Sequence, residues 1–133
     1  MSEENNQVSL YEMFGGESNL KTLVSKFYQI MDENKDYKIL RDMHAKDLTI
    51  SEEKLFMFLS GWMGGPQLYI NKYGHPRLRA RHMPFPITNN DSLAWISCMK
   101  EAMVFIDVSE NIKDFLITEL NKTASFMVNK LDS

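Results

Sequence analysis

Three histidines and one cysteine are the residues of this 133-residue chain best suited to hold a metal. Two of them, His75 and His82, fall in one segment, GWMGGPQLYINKYGHPRLRARHMPF, over residues 61–85. All four prolines lie between Pro66 and Pro86, and four of the six glycines between Gly61 and Gly74. So many breakers forbid a long helix there. Yet Trp62, Leu68, Tyr69, Ile70, Tyr73, Leu78, Met83 and Phe85 need burial, so the segment is no polar linker. From Lys54 to Asn90 the chain holds five Lys or Arg (Lys54, Lys72, Arg77, Arg79, Arg81) and no acid, a charge of +5; the other ten bases face all 18 acids, leaving −8. A packed, irregular, wholly cationic loop suggests an anion around which it folds. Arg77 to His82 have room for one or two helical turns between the break at His75-Pro76 and the stop at Pro84. His82 then ends a short helix, fixed by Met83-Pro84-Phe85. A histidine held by prolines beside several arginines suits a haem, whose iron takes an imidazole and whose propionates take cations.

Other chemistries fit less well. His75, His82 and Cys98 offer zinc three ligands with no fourth in view. Cys98 sits within an apolar helical stripe, where a thiol is inert, which disfavours a Cys–His nucleophile. A helical bundle without a cofactor would have no use for a cationic loop that carries every proline.

A single domain over residues 1–133 is expected, with residues 1–8 flexible. The hydrophobic fraction of 44 % suffices for one core. A net charge of −3, with no basic face outside the central loop, argues against nucleic acid as a partner. Cys98 stands alone, so no internal disulfide forms and a reducing compartment is implied. The C-x-x-C-H attachment motif is absent, so a haem would be held without a covalent bond. The opening MSEENNQVS is acidic and polar, unlike a signal peptide, and no apolar run approaches the roughly 20 residues of a membrane span. A cytoplasmic protein is expected. Ten methionines suit irregular gaps, whether beside a bulky ligand or in an ordinary core.

The remaining segments predict helices. Ser9-Leu10-Tyr11-Glu12 has capping-box spacing, and Gly15-Gly16 suit the end of the short helix that follows. Ser18 is placed to cap a second helix running to about Glu33, whose apolar face is Leu20, Val24, Phe27, Tyr28 and Met31. The Tyr28 hydroxyl needs a partner on that face, and a backbone carbonyl would serve. Asn34 to Leu48, which include His44, read as a helix corner with a turn, where a solvated loop histidine is one option. Thr49-Ile50-Ser51-Glu52 reads as a second capping box, ahead of a stripe of Leu55, Phe58, Leu59 and Trp62 that ends at Gly64-Gly65-Pro66. Leu68-Tyr69-Ile70 is the one strand-like stretch, and it is too short to pair with anything. Thr88 to Asp91 start a helix with the stripe Trp95, Cys98, Met99, Ala102, Met103 and Ile106. Ser109 starts the last, with Leu116, Leu120, Ala124, Met127 and Leu131 inward.

Three blocks in order, GWMGGP, GHPRLRARHMPF and DSLAWISCM, resemble the group II truncated haemoglobins, and the likeness runs from about Tyr11 to Asn129. The resemblance implies an all-α globin fold, a two-over-two helical sandwich around protohaem (haem b). It implies His82 as the iron ligand and His75 as a structural residue at the turn before Pro76. Tyr28 and Trp95 become donors to the bound ligand, joined by His44 at a position where the family places an aromatic ring against the haem. Leu55, Phe58 and Leu59 wall the pocket, and Lys54, Arg79 and Tyr69 reach the propionates. Ser51 stands where other globins keep a distal histidine and is too short for that role. Two functions follow as expectations: binding of oxygen, nitric oxide or a similar diatomic ligand, or redox consumption of nitric oxide or peroxide with an external reductase. A monomer or weak dimer, with no membrane or nucleic-acid partner, completes the reading.

Overall fold

The computed structural model describes residues 8–83 and 86–130, apart from the Arg79 side chain. The expected flexibility of residues 1–8, the inward Leu131 and the Pro84-Phe85 lock fall wholly or mainly outside these residues. Helix α1, Leu10–Phe14, is capped as expected: the Glu12 N–H donates to Ser9 Oγ at 3.1 Å. Helix α2, Gly16–Glu33, begins two residues before Ser18, behind Gly15, so the expected Ser18 cap does not form. Gly15 and Gly16 both take positive φ and turn the chain at once. Asn19 Nδ2 then closes the end of α1 by donating to the Phe14 carbonyl at 2.8 Å. Leu20, Val24, Phe27, Tyr28 and Met31 are all buried, with Leu23 added. Each contributes about 1.5–3 kcal/mol when fully withdrawn from water.

A 3-10 turn at Lys35–Tyr37 and the short α3, Lys38–Asp42, make the expected corner. Helix α4, Thr49–Trp62, does not use the Thr49 capping box. Thr49 is already helical, and its N–H donates to Asp47 Oδ1 at 2.9 Å, so the carboxylate two residues earlier takes the capping role. At the far end Ser60 Oγ donates to the Pro66 carbonyl at 2.7 Å and folds the chain back. Leu68-Tyr69-Ile70 is helical, not strand-like, within α5, Leu68–Tyr73. No strand is described that could pair with it, and a helical turn satisfies the backbone internally, as in Asn71 N–H to the Gln67 carbonyl at 3.0 Å.

Helix α6, Leu78–His82, occupies the cationic segment as predicted. Helix α7, Asn89–Met103, opens with a complete Thr88–Asp91 capping box, and α8, Glu110–Phe126, is capped by Ser109. Its inward residues Leu116 and Leu120 are buried, as is Met127 just past its end. Helix α2 packs on both α4 and α7, α7 packs on α8, and α5 lies against α4. The pairs α2/α4 and α7/α8 are thus the two layers of an all-helical sandwich, with α6 outside them. Among the described residues no helix is long and apolar enough to cross a membrane.

Candidate haem site

His82 closes α6, and its Nδ1 lies 2.6 Å from the Leu78 carbonyl one turn earlier. A carbonyl only accepts, so this bond puts the proton on Nδ1 and leaves the Nε2 lone pair free. A metal-binding imidazole is prepared in this way, its other nitrogen fixed by a backbone oxygen. The main chain that follows is also tied. Asn129 Nδ2 donates to the His82 carbonyl at 3.3 Å, while Asn129 Oδ1 accepts from the Ile87 N–H at 3.0 Å. The parts that Leu78 and Asn129 play at His82 were not legible in the sequence. The first acts through a backbone atom, and the second lies 47 residues away. His75 is exposed, and its Nδ1 accepts from the Arg77 N–H at 3.0 Å. It shapes the turn in which Arg77 takes a φ of 48°.

Across the fold, four rings form a chain. Trp95 stands edge-on to Phe27 with centroids 5.2 Å apart, Phe27 edge-on to Tyr28 at 5.0 Å, and Tyr28 edge-on to His44 at 5.7 Å. Phe27, fully buried between the two donors, was legible only as core. Tyr28 is 5 % exposed, yet its hydroxyl makes no hydrogen bond among the described residues; the same holds for the Trp95 indole N–H. Neither atom is sealed from open space. Two donors aimed at space rather than protein suit a bound ligand. Burial, with smaller contributions from the Glu52 and Cys98 charges, pushes the Tyr28 phenol well above its ordinary value, so it remains a neutral donor. Cys98 is buried and donates to the Phe27 carbonyl at 3.3 Å; burial, then the Glu101 charge, raises its thiol to about 12, so it is inert.

His44 is half-buried against Tyr28, with Nδ1 2.9 Å from the Leu40 carbonyl. Burial lowers its pKa, the Leu40 bond opposes that, and the Arg41 and His82 charges add to the lowering. Of the expected wall, Phe58 lines a cavity of about 650 Å³ together with Trp62, Leu78, Met127, Arg77 and Lys122. Its volume lies in the range of about 300–1,000 Å³ usual for small-molecule sites. Leu55 is half-buried, whereas Leu59 is wholly buried in the core and does not line this cavity. Neither His82 nor the Tyr28 ring chain lines it. Tyr69 is buried edge-on to Phe58 at 6.5 Å, and Lys54 Nζ lies 5.3 Å from the centre of the Tyr73 ring. For Arg79 only the backbone, within α6, is described.

An imidazole with a free Nε2, two unpartnered donors and a cationic segment without acids fit an iron tetrapyrrole with propionates. These are the features of a globin, and the chain belongs to that class: residues 9–129 match the family described as Bacterial-like globin. Within it the chain is a group II truncated haemoglobin. It is 42 % identical over 118 residues to the group 2 truncated hemoglobin YjbI of Bacillus subtilis, covering 89 % of this chain and 87 % of that protein. The group II truncated hemoglobin of Bacillus anthracis superposes with a TM-score of 0.89 at 38 % identity, over 96 % of this chain and 95 % of that one. A truncated oxygen-avid haemoglobin from Bacillus subtilis gives 0.84 at 43 % identity, over 92 % of this chain and all (100 %) of that one. The all-helical, two-over-two fold expected from the sequence is therefore the fold of this chain.

Proposed function

We propose that this globin binds oxygen, or a diatomic ligand of similar polarity, at a non-covalent protohaem whose iron is held by His82. When bound, the haem supplies an iron with one face open to such a ligand. The observation that carries the proposal is the pair of unpartnered donors, the Tyr28 hydroxyl and the Trp95 indole N–H, bracketing Phe27. Both are neutral at physiological pH and donate without needing a proton from solvent. A ligand that draws negative charge onto its outer atom gains most from them, which favours oxygen. His44, edge-on to Tyr28, orients the phenol and keeps its own Nε2 available as a third polar group. Lys54, Tyr69 and Arg79 take the propionates in this reading. The relative described as oxygen-avid supports it.

The same donors favour a second reading. Strong hydrogen bonding slows oxygen release, which suits its consumption against nitric oxide or peroxide, with electrons from an external reductase. Stopped-flow mixing of the oxygenated protein with nitric oxide, with a reductant present, separates the two. Repeated turnover would establish the redox reading. A single stoichiometric reaction, with slow oxygen release otherwise, would leave binding as the function.

A further inference from the structure

We propose that the cationic face around Tyr69 and Tyr73 is the docking surface for an acidic one-electron carrier protein that reduces the haem iron. The inference rests on the haem-binding reading above. The two tyrosine rings lie 4.9 Å apart. Three cations gather on them: Lys54 at 5.3 Å and Lys72 at 5.4 Å from the Tyr73 centroid, and Arg81 at 5.9 Å from that of Tyr69. Arg81 Nε also donates to the Pro76 carbonyl at 2.7 Å, which ties Arg81 to the turn that carries exposed Arg77. Of the six ion pairs among the described residues, only Lys72–Glu53 touches this cluster. Arg77 and Arg81 have no carboxylate partner there, and Lys54 faces only the propionate assigned to it above.

The charge exceeds what a haem requires. Residues 54–90 carry +5, and two propionates would leave +3 on a chain whose remainder carries −8. Glu53 reduces the surplus to +2. Such an asymmetry orients an acidic partner toward one face and raises its encounter rate by about 10- to 1,000-fold at low salt. An extended anionic surface such as a membrane would meet the −8 remainder as well, so a compact partner is favoured. Exposed Ile70, with 46 % of its surface open, and half-exposed Tyr73 give the cluster an apolar centre. Weak electron-transfer contacts bury less than about 1,200 Å² and need no larger patch. The step would balance as one electron lost by the reduced carrier and gained by the ferric iron of the bound haem.

The test measures reduction of the haem-loaded ferric protein by reduced flavodoxin, an acidic one-electron donor, and by dithionite. The flavodoxin rate should fall at least about tenfold from low to physiological ionic strength. Lys72→Glu should slow it about fivefold or more at low salt, and so should Asn71→Glu, which adds an acid on α5 and removes no side-chain contact. Lys38→Glu, at an exposed position of α3, should change it less than about twofold, and dithionite rates should be equal throughout. Equal flavodoxin rates in all variants at normal haem content would overturn the docking surface while leaving the haem site intact. Loss of binding to phosphatidylglycerol vesicles in Lys72→Glu, with no flavodoxin effect, would overturn it in favour of a membrane. A wild-type protein that takes up no haem would instead overturn the reading beneath it.

Discussion

Replacing Tyr28 by phenylalanine deletes one hydroxyl and keeps the ring between Phe27 and His44. No protein acceptor loses a partner, because the hydroxyl has none among the described residues. Folding stability should therefore stay within about 0.5 kcal/mol of the parent. Tyr37 is the internal contrast. Its hydroxyl is shared between Ser97 Oγ, at 2.9 Å, and the Glu101 carboxylate, so Tyr37→Phe should cost about 1 kcal/mol or more. Oxygen release should respond in the opposite order. A neutral hydrogen bond is worth about 0.5–1.5 kcal/mol, and about 1.4 kcal/mol is a factor of ten, so Tyr28→Phe should speed release about two- to tenfold. Trp95→Phe should do likewise, and the double variant should fall short of the product because both donors serve one ligand. Urea unfolding and stopped-flow oxygen release on the same preparations give both numbers. A Tyr28→Phe protein that loses more than about 1 kcal/mol and releases oxygen at the parent rate would refute the reasoning. Tyr28 would then be a core residue whose hydroxyl serves the fold.

His44 should make stability depend on pH. Burial holds its folded pKa below the unfolded 6.5, so the unfolded chain binds the proton first as pH falls. The contribution of neutral, buried His44 is complete above about pH 6.5 and is lost as pH falls through that value and then through the folded pKa. Between about pH 8 and 5, His44→Phe should flatten both the stability profile and that of oxygen release; superimposed profiles would mean a solvated loop histidine. Gly65→Ala should destabilise by about 1–3 kcal/mol in urea unfolding, since a Cβ there would lie 2.4 Å from the Tyr11 ring.

Most of the helices were legible because their apolar residues repeat at helical spacing and their ends carry breakers. The α2 face and the α7 stripe needed nothing more. The misses share a physical cause. Ser18 and Thr49 matched capping patterns, but α2 starts behind Gly15 and α4 at Thr49 itself, so both residues already lie inside their helices, and a pattern cannot fix where the first turn begins. Leu68-Tyr69-Ile70 has residue types that suit strands, but it is too short to pair, and it closes a helical turn instead. At the site, residue types pointed to His82, and geometry added what types cannot carry. The Leu78 carbonyl fixes the imidazole, Asn129 ties its backbone from far along the chain, and Phe27 spaces the two donors. Leu55, Phe58 and Leu59 fell on one predicted stripe, but only Phe58 reaches the large cavity while Leu59 turns into the core. Neighbouring positions on a helix differ by roughly 100°, enough to separate wall from interior.

The function proposed above stands on ligation of the iron by His82 Nε2. Resonance Raman spectroscopy of the ferrous, haem-reconstituted protein tests it through the iron–histidine stretching band. The wild type and His75→Gly should both show that band, and His82→Gly should lose it, retaining haem only with added imidazole. A band that survives in His82→Gly and vanishes in His75→Gly would contradict the account.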